Sequence, residues 1–186
     1  ATSGARNTAM GYRAGYSLTT GHSNTFIGYE AADAFNSGES NMTAIGYNAM
    51  GSADNDSSSN CVAIGVGALE GGTGVIANSI AIGNNALSST NVRNIDASIA
   101  IGLAAMDSTA GGAVTDCIAI GRDSMHHSSN QLNAVTGDIG IGAYSLQSLT
   151  TGDHNIAIGY QAGDAITTKS GIIAIGLGAA GGISTT

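Results

Sequence analysis

Tryptophan is absent from this chain, and six tyrosines and two phenylalanines are all the aromatic side chains that its 186 residues carry. With so few large rings and 29 glycines, a thick globular core is excluded and any interior must be narrow. Basic residues are equally scarce. Five Lys and Arg against thirteen Asp and Glu leave a net charge of −8, which argues against a nucleic-acid partner, because phosphate binding needs clustered cations. Anionic membrane surfaces are disfavoured for the same reason. No apolar run approaches the length of a membrane span, so no membrane insertion is expected, and the first residues form neither a basic leader nor an apolar signal core. Ala1 stands where an initiator Met would, and the expectation is an excerpt of a longer fibre. Cysteine is limited to Cys61 and Cys117. Both fall four residues before a recurring glycine, three repeats apart, and at about 4.8 Å per repeat their separation of about 14 Å excludes an intrachain disulfide. Small buried thiols are the expected reading.

What the chain does have is one short phrase used ten times. Its clearest copies are Val62-Ala63-Ile64-Gly65, Ile80-Ala81-Ile82-Gly83, Ile99-Ala100-Ile101-Gly102, Ile118-Ala119-Ile120-Gly121, Ile156-Ala157-Ile158-Gly159 and Ile173-Ala174-Ile175-Gly176; looser copies end at Gly11, Gly28, Gly46 and Gly142. The glycines are spaced by 17, 18, 19, 18, 19, 19, 21, 17 and 17 residues. A short, nearly constant period of this kind marks a solenoid in which each repeat is one coil. The fold class expected is all-β, a parallel β-solenoid or β-roll of about ten coils of 17–21 residues, spanning 1–186 as one repeat domain and about 48 Å long at the strand spacing.

Alternation within the phrase means a strand. Its two faces are both apolar, one bulky and one Ala, so both require cover. One can face the coil's interior. No repeat is long enough for a helix that would cover the other, and a second copy of the chain is expected there, most simply in a homotrimer. Three residues after each glycine runs a small column (Ala14, Ala31, Ala49, Ala68, Ala86, Ala105, Ser124, Ser145, Ala162, Ala179), followed by a column including Met50, Leu69, Leu87, Met106, Met125 and Leu146. Leu18, Phe35, Leu149 and Ile166 stand seven after the glycine. These columns predict a second, shorter strand that closes the coil. Asn7, Asn24 and Asn155, four before the glycine, and Asn41, Asn60 and Asn78, five before, predict turns whose amides bond backbone and neighbouring coils. Length varies after the second column, most over 126–137.

The phrase Asn-Ser-Ile-Ala-Ile-Gly-Asn-Asn-Ala-Leu at 78–87 resembles the head repeats of trimeric autotransporter adhesins, and the longer phrases at 7–21 and 24–31 are similar to shaft repeats of bacteriophage tail fibres. The likeness covers roughly 7–180. It implies a trimeric left-handed β-roll in the first case and a virion tail fibre in the second. The unequal repeats, without the adhesins' neck, stalk and membrane anchor, favour the fibre. The expected function is a structural and adhesive segment of a phage tail fibre contacting a host surface receptor; the alternatives are a bacterial surface adhesin head, a polysaccharide-cleaving spike and an ice-binding solenoid. The location implied is a virion tail fibre or the bacterial surface.

Several constellations compete for chemistry. The run Gly176-Leu177-Gly178-Ala179-Ala180-Gly181 spells a dinucleotide fingerprint, but it lacks the following helix and acidic residue and reads as the last repeat. His126 and His127, with Asp123 and Asp138, lack the spacing of a closed metal site. The loop carboxylates Asp33, Glu39, Asp54, Asp56, Glu70, Asp96, Asp107 and Asp116 are scattered, with Asp54 and Asp56 the closest pair, so hydrolysis is not the expected activity. Ice binding would need a regular threonine column, and only Thr8, Thr25 and Thr43 align. Neither enzyme activity, cofactor nor metal is expected. Asn41-Met42-Thr43 and Asn55-Asp56-Ser57 match the glycosylation acceptor. Tyr12, Tyr29 and Tyr47 directly follow successive glycines, and Tyr160 repeats the position. This row is either a contact for a host glycan or a seam between subunits.

Overall fold

The structure is a computed structural model, and it describes residues 4–52, 57–71, 74–88, 94–107, 112–126 and 134–182. Among them every regular element is a strand: β1 (Thr8–Met10), β2 (Thr25–Ile27), β3 (Thr43–Ile45), β4 (Val62–Ile64), β5 (Ile76–Ala77), β6 (Ile80–Ile82), β7 (Ile95–Asp96), β8 (Ile99–Ile101), β9 (Val114–Thr115), β10 (Ile118–Ile120), β11 (Val135–Thr136), β12 (Ile139–Ile141), β13 (Ile156–Ile158) and β14 (Ile173–Ile175). The three-residue strands are the recurring phrase, and they stack in chain order into one ten-stranded parallel sheet. Register is kept from coil to coil: Ile80 pairs with Ile99, Ile99 with Ile118 and Ile118 with Ile139. The chain is a parallel β-solenoid.

The middle residue of each phrase points inward. Ala44, Ala63, Ala81, Ala100, Ala119 and Ala157 are buried, while the isoleucines and valine on either side lie on the outer surface. The narrow interior decides this, because Met50, Leu69, Leu87, Met106, Met125 and Leu146 already fill it from the opposite corner. Where the inward strand residue is instead Phe26, the opposite corner shrinks: a Cβ at Gly15 would stand 2.7 Å from the Phe26 ring, and Phe35 meets that ring edge-on at 5.8 Å.

The anchor glycines are required twice over. Their φ angles, from 124° to 140°, are unfavourable for any residue with a Cβ, and a Cβ at Gly102 would stand 2.6 Å from the Gly121 carbonyl oxygen.

The second strand is not where the columns after the glycine predict it. Those residues form a corner: Asn48 and Met50, like Asn85 and Leu87, have φ between 51° and 55°, in the left-handed region that a strand cannot use. The corner still bonds coil to coil, with the Asn48 N–H donating to Tyr29 O and the Met50 N–H to Ala68 O, each at 3.0 Å. The smaller sheet comes instead from residues six and seven before the glycine, in β5, β7, β9 and β11. Parallel bridges between Ser40 and Ser59 and between Ser59 and Ala77 continue its line into earlier coils.

Buried polar groups run in ladders. The Ser79 and Ser98 hydroxyls donate to the carbonyls of Ala77 and Asp96 and accept the N–H groups of Ser98 and Cys117. Cys61 and Cys117 occupy the same column as free thiols that donate to Ser59 O and Thr115 O at 3.2 Å, and burial pushes both up to about 11. The asparagines behave as their positions predict. Asn41 donates to Asn60, Asn60 to Asn78 and Asn78 to the Asp96 carboxylate, each from a residue with positive φ. Asn24 and Asn155 are buried and tie three coils each: their side-chain amides bond backbone groups of the following coil, and their own main-chain N–H groups donate to the Oδ1 of Asn7 and of Asp138 in the preceding one.

Candidate functional site

Each anchor glycine ends a strand on the outer surface, so the residue after it emerges at a corner, at the same height in each coil. In three successive coils that residue is a tyrosine. The rings of Tyr12 and Tyr29 stack with centroids 5.0 Å apart, and those of Tyr29 and Tyr47 at 5.4 Å and within 9° of parallel. Their exposures are 62%, 47% and 53%. The row predicted from sequence therefore exists, with one change in its chemistry. Tyr29 has both faces covered by its neighbours, so the row offers ring edges, hydroxyls and two outer faces rather than a series of free faces. The spacing explains this: side chains repeated at about 4.8 Å in register bring flat rings close to stacking distance.

Tyr160 does not join the row. Five coils carry other residues at the position between Tyr47 and Tyr160, namely Val66, Asn84, Leu103, Arg122 and Ala143. Tyr160 instead meets Tyr144 edge-on at 5.8 Å, and the Arg122 guanidinium lies 4.7 Å from the Tyr144 ring centre. Tyr144 and Tyr16 were not picked out by the repeat alignment, because they stand two and five residues after their glycines, in columns otherwise without aromatic residues. Tyr16 shares its corner with Arg13, whereas Arg122 stands one coil before Tyr144, so a search for tyrosine beside arginine within one corner would have found only Tyr16.

At the row's N-terminal end sits an ion cluster. Arg13 reaches Glu30 at 3.4 Å and Asp33 at 3.6 Å, and its guanidinium lies 4.9 Å from the Tyr16 ring centre. Glu30, two residues after its glycine, directly follows Tyr29. Its carboxylate, with smaller effects of burial, holds the Tyr29 phenol above its usual range. Burial raises the Asp33 carboxyl, and Arg13 works against that rise.

Beside the row runs the outer face of the ten-stranded sheet. Ile64, Ile82 and Ile158 each keep 37% of their surface exposed, and Met10, Ile173 and Ile175 keep more at the two ends. Thr8, Thr25 and Thr43 stand in register on this face, and the column continues as Val62 and Ile80. The threonine array ends after three coils.

The other constellations are placed apart. His126 Nδ1 lies 3.5 Å from Asp123, whereas Asp138 is in the buried column four before its glycine, bonded to Asn155. His127, Asp54, Asn55 and Asp56 lie outside the described residues. Among the described residues no group of three or more His, Cys, Asp or Glu could hold a metal ion, and no cavity opens. Glu39, one of the loop carboxylates, is buried, and its backbone carbonyl accepts the Asn24 amide. The Asn41 amide of the first glycosylation match is engaged with Asn60. No protein-family model matches the chain, and neither a curated protein nor a solved structure does.

Proposed function

We propose that this chain is a structural and adhesive segment of a phage tail fibre, assembled as a homotrimer, that extends reach and contacts a host surface glycan through its tyrosine corner. The observation that carries this reading is the apolar ladder on the outer sheet face beside a half-exposed tyrosine stack. An outward ladder of isoleucine in nearly every coil needs cover along its whole length, and an identical solenoid supplies the same period. The resemblance of 7–21 and 24–31 to fibre shaft repeats supports the biological setting. Three identical corners would then present three equal contacts, which multiplies individually weak binding.

The test is the combined Tyr12→Ala, Tyr29→Ala and Tyr47→Ala variant, assayed for attachment to host cells and for size in solution. The expected result is attachment reduced by at least tenfold with the assembly intact. Normal attachment removes the row from the contact. Dissociation into single chains shows that the tyrosines seal the subunits instead.

A further inference from the structure

The corner carries charge information that narrows what it could hold. Arg13 is the cation beside the row, and its positive charge is met by two carboxylates, Glu30 at 3.4 Å and Asp33 at 3.6 Å, while its guanidinium packs on Tyr16. These three ionised groups sum to one negative charge, on a chain whose net charge is −8. A sugar carboxylate or sulfate arriving there would meet the like charges of Glu30 and Asp33 beside the one Arg13 cation that they already outweigh. The stacked rings confine a second mode to the ends of the row. Tyr29 is covered on both faces, so a pyranose cannot lie on it, and along the row run phenol hydroxyls and ring edges, with one outer face left on Tyr12 and one on Tyr47. Phenol hydroxyls both donate and accept, as sugar hydroxyls do. The Tyr29 phenol, held above its usual range chiefly by Glu30, remains a donor at neutral and moderately basic pH.

From this geometry we infer that the tyrosine corner selects uncharged glycans, reading their hydroxyls edge-on along Tyr12, Tyr29 and Tyr47, and that the Glu30–Arg13–Asp33 cluster rejects anionic sugars. The inference rests on the adhesive reading above and adds the class of ligand. Specificity here comes from a repulsive element as much as from an attractive one.

The experiment measures binding of the full chain to two sets of immobilised polymers of matched length, neutral glucans and mannans on one side and uronic-acid and sialic-acid polymers on the other, at low ionic strength. Wild type should retain on the neutral set at least tenfold better than on the anionic set, and the triple tyrosine variant should lose the neutral binding. Glu30→Gln with Asp33→Asn frees Arg13 and should raise anionic retention several-fold while leaving neutral retention in place. Arg13→Gln, which adds no free cation, should leave anionic rejection intact and so separates charge from disturbed packing. Preference of wild type for the anionic set overturns the inference and leaves the adhesive reading standing. Unchanged anionic retention in the Glu30 and Asp33 variant overturns the role given to the cluster. Retention of neither set overturns the inference together with the glycan contact on which it rests.

Discussion

Asp138 shows how one residue can depart from the repeat at a measurable cost. It occupies the column where other coils place Asn, Ser, Cys, Met or Ile, and it is buried. Its Oδ1 accepts both the Asn155 N–H and the Asn155 amide, and its Oδ2 has no hydrogen-bond partner. Burial raises its carboxyl to about 6; the two Asn155 bonds oppose that rise, Asp153 adds to it and His154 opposes it. The folded value lies above the unfolded one, about 3.9, so the folded chain holds a proton over a pH range in which the unfolded chain has released it. Stability therefore rises as pH falls from about 6 towards about 4, and the ionised carboxylate at pH 7 costs on the order of 2–3 kcal/mol. The melting temperature should be higher at pH 5 than at pH 7, and Asp138→Asn should remove most of that difference. An identical pH dependence in the variant would place the titrating group elsewhere.

At the scale of the coil, packing is a trade among columns rather than a property of single sites. The inward strand residue is Ala in most coils but Gly140 in β12, where the two flanking corners carry Ser124 and Ser145. Those hydroxyls lie 2.8 Å apart and donate to Gly140 O and Gly142 O. A Cβ at Gly140 would stand 2.8 Å from the Ser124 Oγ and 3.1 Å from both the Ser145 Oγ and the Met125 side chain. Gly140→Ala, which restores the repeat's own residue, is accordingly expected to destabilise by about 1–3 kcal/mol through overpacking. Adding Ser124→Ala and Ser145→Ala should recover most of the loss, a coupling that a mutant cycle read by chemical denaturation resolves. Additive effects would mean that the serine pair and the glycine are independent.

For the whole molecule the deciding quantity is the uncovered sheet face. Hiding the exposed third of one isoleucine contributes about 1 kcal/mol, well below the cost of association, about 4–15 kcal/mol. Only a ladder repeated over many coils exceeds it, and the ten in-register strands provide one. The assembly proposed above should therefore depend on the outer isoleucines and not on the inner alanines. Ile82→Asp with Ile101→Asp is expected to yield a chain that sediments as a single copy, with the β-sheet circular dichroism retained. Sedimentation of that variant at the wild-type size, or a folded wild-type monomer at equilibrium on dilution, would remove this face as the subunit contact.

Periodicity alone determined the parallel stack, the strand positions and the role of the glycines, because in-register coils repeat a backbone constraint at a fixed sequence interval. It also placed Asn41, Asn60 and Asn78 in turns and Tyr12, Tyr29 and Tyr47 in one row, since residues sharing a coil position share a line along the solenoid. Only the tertiary structure decided which strand face turns inward, because Ala and Ile are both apolar and the choice depends on the volume supplied by the opposite corner. It moved the second sheet to residues before the glycine, since the left-handed φ of residues such as Met50 and Leu87 is set by closing the coil and leaves no trace in an apolar pattern. It also turned the tyrosine row into a stack beside a paired arginine, because ring contact and ion pairing depend on distances between coils that spacing in the chain does not encode.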